Sequence, residues 1–299
     1  MKISYLEAER RGWSYEDVYV VSFSELDYYV KELLKLYPMG TINKIPEYAL
    51  QIFKKMLDMW ESIHIIYSHN KDYVSVCALC RSILDNLAII YHIYLEPNSN
   101  ELILKHFLYV LDGVNARLKV MEDEMNYDGT INNLEFLKLK NHCLETKQSD
   151  LKTQEFILGV LSNYDSIDVS IINKANWRYK TLTSCSNSKN QISWTDLYLK
   201  INTRPFFKKL MNDFSTYVHG LSLSNLGYVK NEETFEPIFS LSIECIDSAI
   251  KAIKTIYKEE INILQLNFKS TETATNIMLS VKDEYLRFLY DSHKVKSQK

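Results

Sequence analysis

Apolar residues recur along this chain at the three- and four-residue intervals of a helix. Leu50, Phe53, Leu57, Trp60, His64 and Tyr67 keep that spacing behind Pro46, whose ring suits the first turn of a helix. A helix is expected before it, over Ser24–Leu36 with Ser24 as cap, and a third after it, from a cap at Asp72 to about Leu95, ahead of Pro97. Ser99 to about Asn126 continues the pattern past Gly113, and Asp128-Gly129 reads as a turn. The middle is less regular, with shorter helices expected at Asn132–Cys143 and Leu151–Leu161 and a polar loop from Thr183 to Gln191. Arg204-Pro205 opens another helix that Gly220 ends, and two long helices close the chain, Pro237 to about Leu266 and Thr271 to about His293. The expected fold class is all-α: a single multi-helix bundle with a long central apolar helix and an elaborated middle connection. Its core covers about 24–126 and 204–293, with an irregular helical insertion at about 131–202.

Composition agrees with that expectation. Gly (7) and Pro (5) are far fewer in 299 residues than the roughly 36 that average usage gives, and sheets need both for hairpins and bulges. The formal net charge of −3 carries no large basic excess of the kind that advertises nucleic-acid binding, which leaves room only for a local patch. Five cysteines, odd in number and mostly far apart, make no disulfide framework, and free thiols suit a reducing cytoplasm, the expected location. The first residues lack the apolar core of a signal peptide. No membrane span is expected, because Arg81, Asp85 and His92 interrupt the most apolar stretch.

That stretch, VCALCRSILDNLAIIYH, carries the main puzzle. It is apolar nearly all round, as in a central helix, yet Arg81, Asp85, Ala88 and His92 fall along one stripe. A buried charge without a partner is costly, so Arg81 and Asp85, at i and i+4, must be matched. Two readings stay open: a structural ion pair that fixes the packing of the bundle, or a pair lining a polar cleft. Cys77 and Cys80 form a lone CxxC without a second ligand pair, and His64 and His69 have no carboxylate partners at metal-site spacing, so no metal and no cofactor are expected.

A second polar stripe runs through RPFFKKLMNDFSTYVHG, where Asn212, Ser215 and His219 follow at i, i+3 and i+7. His219 falls in the last turn, where the helix dipole favours a cation; it is either a core-edge histidine or a general acid–base or phosphate contact. No Gly-rich phosphate loop and no G-x-S-x-G elbow is present, which excludes P-loop, Rossmann and α/β-hydrolase sites.

The segments CRSILDNLAIIYHIYL, NWRYKTLTSC and DFSTYVHGLSLSNLG together resemble an uncharacterised family of bacterial all-helical proteins. Its pattern is an early R-S-x-x-[DE] helix and a later S-x-Y-x-H-G helix end, matched here by Arg81, Ser82 and Asp85, then Ser215, Tyr217, His219 and Gly220. The resemblance spans roughly residues 50 to 260 and is similar in style to the HEPN helical bundles. It implies action on RNA or a nucleotide, as a metal-independent ribonuclease in a toxin or defence role, with a homodimer among the expected assemblies. Catalysis would fall to His219, Arg81 and Asp85, with Ser215, Asn212, Tyr217 and His92 as binding residues. HEPN nucleases carry an Arg, four to six residues, then a His. Arg81 and His92 lie too far apart for that, and only Arg287 and His293 match it, with the atypical Phe288 after the Arg. The alternative function is a non-catalytic binding or regulatory module in which Arg81, Asp85 and His219 are structural.

Overall fold

A computed structural model describes residues 12–95, 98–121, 132–164, 167–183, 190–201, 205–218 and 232–268. Among them every regular element is helical, so the fold is all-α. The chain divides into two compact units, one made of Met1–Leu95 with Leu197–Lys299 and the other of Glu96–Asp196.

The first unit is built around the helix that the apolar pattern singled out. α1 (Tyr15–Leu36) starts at Ser14, whose hydroxyl accepts from Asp17 N at 3.2 Å while the Asp17 carboxylate accepts from Ser14 N at 2.9 Å. That reciprocal capping box starts the helix well before Ser24, the expected cap. Ser24 instead lies within the helix, where its hydroxyl donates to the Val20 carbonyl at 2.8 Å. α2 (Ile45–His69) begins with Pro46 in its first turn. α3 (Tyr73–Ile89) is capped by Asp72, which accepts from Ser75 N, and it runs on into a π-helical turn, Ile90–Leu95. α3 packs against α2 and, further along the chain, against the helices here labelled α8 (Pro205–Val218) and α9 (Glu232–Ile256). α9 also lies along α1.

Leu26 and Leu33 of α1, Phe53 and Trp60 of α2, Leu84 and Leu87 of α3, Phe214 of α8 and Ile246 and Ile253 of α9 are all removed from solvent. Each such side chain contributes roughly 1.5–3 kcal/mol through burial, so this shared core is what holds α3 at the centre. Two tyrosine hydroxyls inside the unit are matched by carbonyls: Tyr19 donates to the Trp60 carbonyl at 2.6 Å, and Tyr257 to the Pro46 carbonyl at 2.5 Å. The closing helix expected from Pro237 to Leu266 begins earlier, with Pro237 inside α9, and breaks at Tyr257 before α10 (Lys258–Ile263). The expected helix over Thr271–His293 lies outside the described residues.

The second unit pairs α4 (Ser99–Val120) with α5 (Asn133–Leu161). Where two shorter helices were expected, α5 is one continuous helix of 29 residues. The intervening LETKQSD is polar but free of Gly and Pro, so nothing in it breaks a helix. Arg117 of α4 donates through Nε and Nη2 to both oxygens of the buried Asp150 of α5, at 2.9 and 2.6 Å, and Gln154 donates to Asn115 at 2.8 Å. These bonds group α4 with the middle segment, whereas the sequence pattern placed it with the core and opened the insertion only at 131. After the short α6 (Val169–Asn173), the chain is clasped by Asn190, whose Oδ1 accepts from the backbone of Lys180 and Thr181 at 3.0 Å each. Trp177 is fixed by its indole N–H donating to Asp112 at 3.1 Å. The boundary between the units falls inside α7 (Trp194–Ile201).

Candidate functional site

The polar stripe of α3 is met, within the first unit, by α8 and by the part of α7 from Leu197 onward. Arg81 and Asp85 are one turn apart, and Arg81 Nε lies 3.4 Å from Asp85 Oδ1. From α8, the Ser215 hydroxyl accepts a hydrogen bond from Arg81 Nη1 at 3.1 Å. From α7, the Tyr198 hydroxyl donates to Asp85 Oδ1, and its ring lies under the guanidinium with Cζ 4.9 Å from the centroid. One arginine is thus shared among a carboxylate, a hydroxyl and an aromatic face on three helices. Two turns further along α3, in the π-helical turn, Lys200 Nζ donates to Nδ1 of the buried His92 at 3.1 Å. π-helical turns inside α-helices are frequent at functional positions.

The cluster is not dry. The side chains of Arg81 and Asp85 retain 25% and 34% of their exposure, which puts the pair at the edge of the unit rather than in its core. Partial burial is nonetheless enough to lift the Asp85 carboxyl above the ordinary carboxylate range; the Tyr198 hydrogen bond and the Arg81 charge pull it the other way without cancelling that rise.

The predicted residues divide as follows. Arg81, Asp85 and Ser215 come together, and His92 lies on the same stripe, held by Lys200. Asn212 is exposed on α8, and its carbonyl accepts from the Thr216 hydroxyl at 3.0 Å. Tyr217 is placed by packing: its ring meets that of Tyr73 edge-on at 5.0 Å. His219 and Gly220 lie outside the described residues, as do Arg287 and His293.

No family model, curated protein or solved structure matches this chain. Its chemistry is therefore read from the side chains alone.

Tyr198 and Lys200 are the residues that sequence reasoning missed, because their segment was read as part of an irregular connection. The signal was present in SWTDLYLKI: Ser193 caps α7 by accepting from Asp196 N at 3.1 Å, a serine-to-acid spacing that marks a helix start. The thiols of α3 behave as core side chains. Burial pushes Cys80 up to about 12 and Cys77 higher still, so both keep their protons at neutral pH. Among the described residues no group of three or more His, Cys, Asp or Glu is placed to hold a metal ion. One described helix, Tyr73–Leu95, is long and apolar enough to cross a membrane by length and composition; a helix at the centre of a bundle meets the same test.

The chemical capacity of the cluster follows from its donors. A guanidinium presents five N–H groups in a planar fork, more than Ser215 and one edge of Asp85 can accept. The remaining capacity suits a phosphate or carboxylate oxygen. Asp85, with its affinity for protons raised, is a group able to hold or release one near that anion. Ser215 is a poor nucleophile, because its one proton is directed to the Met211 carbonyl at 3.1 Å.

Proposed function

We propose that this chain is a HEPN-like helical protein that binds a phosphate-bearing ligand, RNA or a nucleotide, at the Arg81 cluster. In this reading it acts as a metal-independent ribonuclease of a toxin or defence system. The observation that carries the proposal is the partly exposed Arg81, oriented by Ser215, Asp85 and the Tyr198 ring with donor capacity to spare. Arg81 holds the phosphate, and the developing charge of a cleaved phosphodiester is stabilised by the same fork. Asp85 is the proton-transfer group on the described side of the site, and His219 is its proposed counterpart. Lys200 adds a second positive charge two turns along the stripe.

A second reading has its own observation. The Tyr198 and Ser215 hydroxyls both donate inside the protein, to Asp85 and to the Met211 carbonyl. A cluster so occupied also serves as a clamp between α3, α7 and α8, which is the non-catalytic module. End-labelled single-stranded RNA incubated with the full chain in EDTA separates the two. Cleavage that persists in EDTA and disappears in Arg81→Ala and Asp85→Asn, with both variants folded by circular dichroism, supports the ribonuclease. RNA that is bound but left intact by the wild type removes the ribonuclease and keeps the phosphate site, and RNA neither bound nor cut leaves the clamp.

A further inference from the structure

Contacts at the Arg81 cluster are unevenly divided among the atoms of its two charged side chains. On Asp85 they fall on one oxygen: Oδ1 accepts the Tyr198 hydroxyl and lies 3.4 Å from Arg81 Nε. Among the described residues, Oδ2 of the same carboxylate accepts no hydrogen bond. On Arg81, Nη1 donates to Ser215 and Nε faces Asp85, while Nη2 donates to no described residue. An uncommitted oxygen and an uncommitted NH2 group therefore stand one helical turn apart, on two partly exposed side chains.

An anion at this place meets opposite demands. Arg81 attracts it. An ionised Asp85 repels it at close range and competes with it for the guanidinium. A neutral Asp85 does neither: it keeps the Tyr198 bond on Oδ1, and a proton on Oδ2 turns that oxygen into a donor. Carboxylic acids held neutral by their surroundings serve elsewhere as hydrogen-bond donors to oxyanions.

We propose that the Arg81 cluster takes up its oxyanion together with one proton, Asp85 binding as the neutral acid through Oδ2–H beside the Arg81 fork. In that uptake, which rests on the phosphate-binding reading of the cluster, one proton from solvent adds to Oδ2. No covalent bond to the ligand forms, and the ligand keeps its charge. Linkage is reciprocal, so the anion raises the proton affinity of Asp85 by the factor by which the proton raises the affinity for the anion. Partial burial already holds this carboxyl above the ordinary carboxylate range. The groups that act on it are Arg81 of its own helix and Tyr198 of α7; α8 contributes the Ser215 hydroxyl to Arg81. No other titratable group of the described residues, on α2, α8 or α9, shifts it, and His92 and Lys200 lie two turns along the stripe.

Sulfate is the probe, because it has the tetrahedral oxygens of phosphate and keeps its double charge near neutral pH. Its affinity for the full chain is measured by calorimetry at constant ionic strength. From about pH 5 to about pH 8 the affinity is expected to fall about tenfold, as a like charge appearing beside the anion implies. Titrations in two buffers of different ionisation heat are expected to show net proton uptake on binding within the interval of the fall. Arg81→Ala is expected to remove the binding at every pH. Asp85→Asn fixes the group in a neutral form and is expected to bind sulfate without this fall. An Asp85→Asn chain that keeps the wild-type pH profile overturns the inference, and so does wild-type binding that takes up no proton; both results leave the anion site at Arg81 standing. Should Asp85→Asn not fold by circular dichroism, the proton uptake of the wild type decides alone. A wild type that binds no sulfate at any pH overturns the inference and the phosphate site together.

Discussion

Asp150 in the second unit receives two N–H groups from Arg117, at 2.9 and 2.6 Å, while Asp85 in the first unit stands 3.4 Å from one nitrogen of Arg81 and accepts a tyrosine hydroxyl instead. Both carboxylates answer an arginine, but the chemistry differs. The Asp150 carboxylate is buried and met by a bidentate fork, so both of its oxygens are engaged and the pair is closed. Asp85 remains a third exposed, and its carboxyl is raised above the usual range by partial burial. Its arginine is also divided among three partners. An arginine committed to one carboxylate ties two helices together. One divided among a hydroxyl, an aromatic face and a single carboxylate oxygen is held in place while part of its fork stays available.

The contrast makes unequal demands on stability. Arg117→Ala leaves the buried Asp150 carboxylate without its fork, and because Arg117 itself lies mostly in solvent the expected loss is about 2 kcal/mol, below that of a fully interior pair. Urea unfolding followed by circular dichroism measures it; a loss no larger than that of Arg81→Ala would erase the distinction between closed and open pairs. Tyr198→Phe removes one hydrogen bond to a charged group and is expected to cost roughly 1–2 kcal/mol in the same assay. It should also raise the Asp85 carboxyl further, read by carbon-13 titration of the carboxyl, because the Tyr198 bond now lowers it. Arg81→Ala is expected to cost only about 1 kcal/mol, since the pair is partly solvated, while removing the proposed ligand binding.

The smallest expected effect is in the pH dependence. The folded Asp85 carboxyl keeps its proton to a higher pH than the unfolded one, so over that interval the folded chain binds more protons. The stability linked to this group is fully present below the ordinary carboxylate pKa of about 3.9 and is lost as pH rises through the folded value. The difference in unfolding free energy between wild type and Asp85→Asn should therefore fall as pH rises from about 4. A difference that grows over that range would mean that Arg81 and Tyr198 outweigh burial, and that Asp85 is as closed a pair as Asp150.

Much of the first unit was legible because its signals are local. Asp72 caps α3 as expected, Pro46 opens α2, and the apolar face of α3 required a central place. Ser24 misled because a serine inside a helix can satisfy itself on the preceding turn, as it does on Val20, while the true cap at Ser14 is marked by Asp17 three residues on. The polar centre of α5 was read as a break, although polarity without Gly or Pro marks only a solvated stretch of helix. At the site, Arg81 and Asp85 declared themselves by being charged in an apolar helix. Ser215, 134 residues from Arg81, was marked by the polar stripe of its own helix, whereas Tyr198, 113 residues from Asp85, is an ordinary residue whose role comes from long-range packing. Periodicity finds the helix that needs partners; it does not say which distant hydroxyl supplies them.

The measurement that bears most directly on the Arg81 cluster is the affinity of the full chain for fluorescently labelled single-stranded RNA, and separately for a nucleotide, in the wild type, Arg81→Lys and Arg81→Ala. A guanidinium that grips phosphate through its fork predicts an ordered series. Lysine keeps the charge but loses the fork and binds more weakly, and alanine binds at least about tenfold more weakly than the wild type, the scale of one charge-assisted hydrogen bond. The wild-type affinity should also fall with added salt. Equal affinities across the three proteins, or no binding of either ligand by the wild type, would contradict the account and leave Arg81 as a clamp between helices.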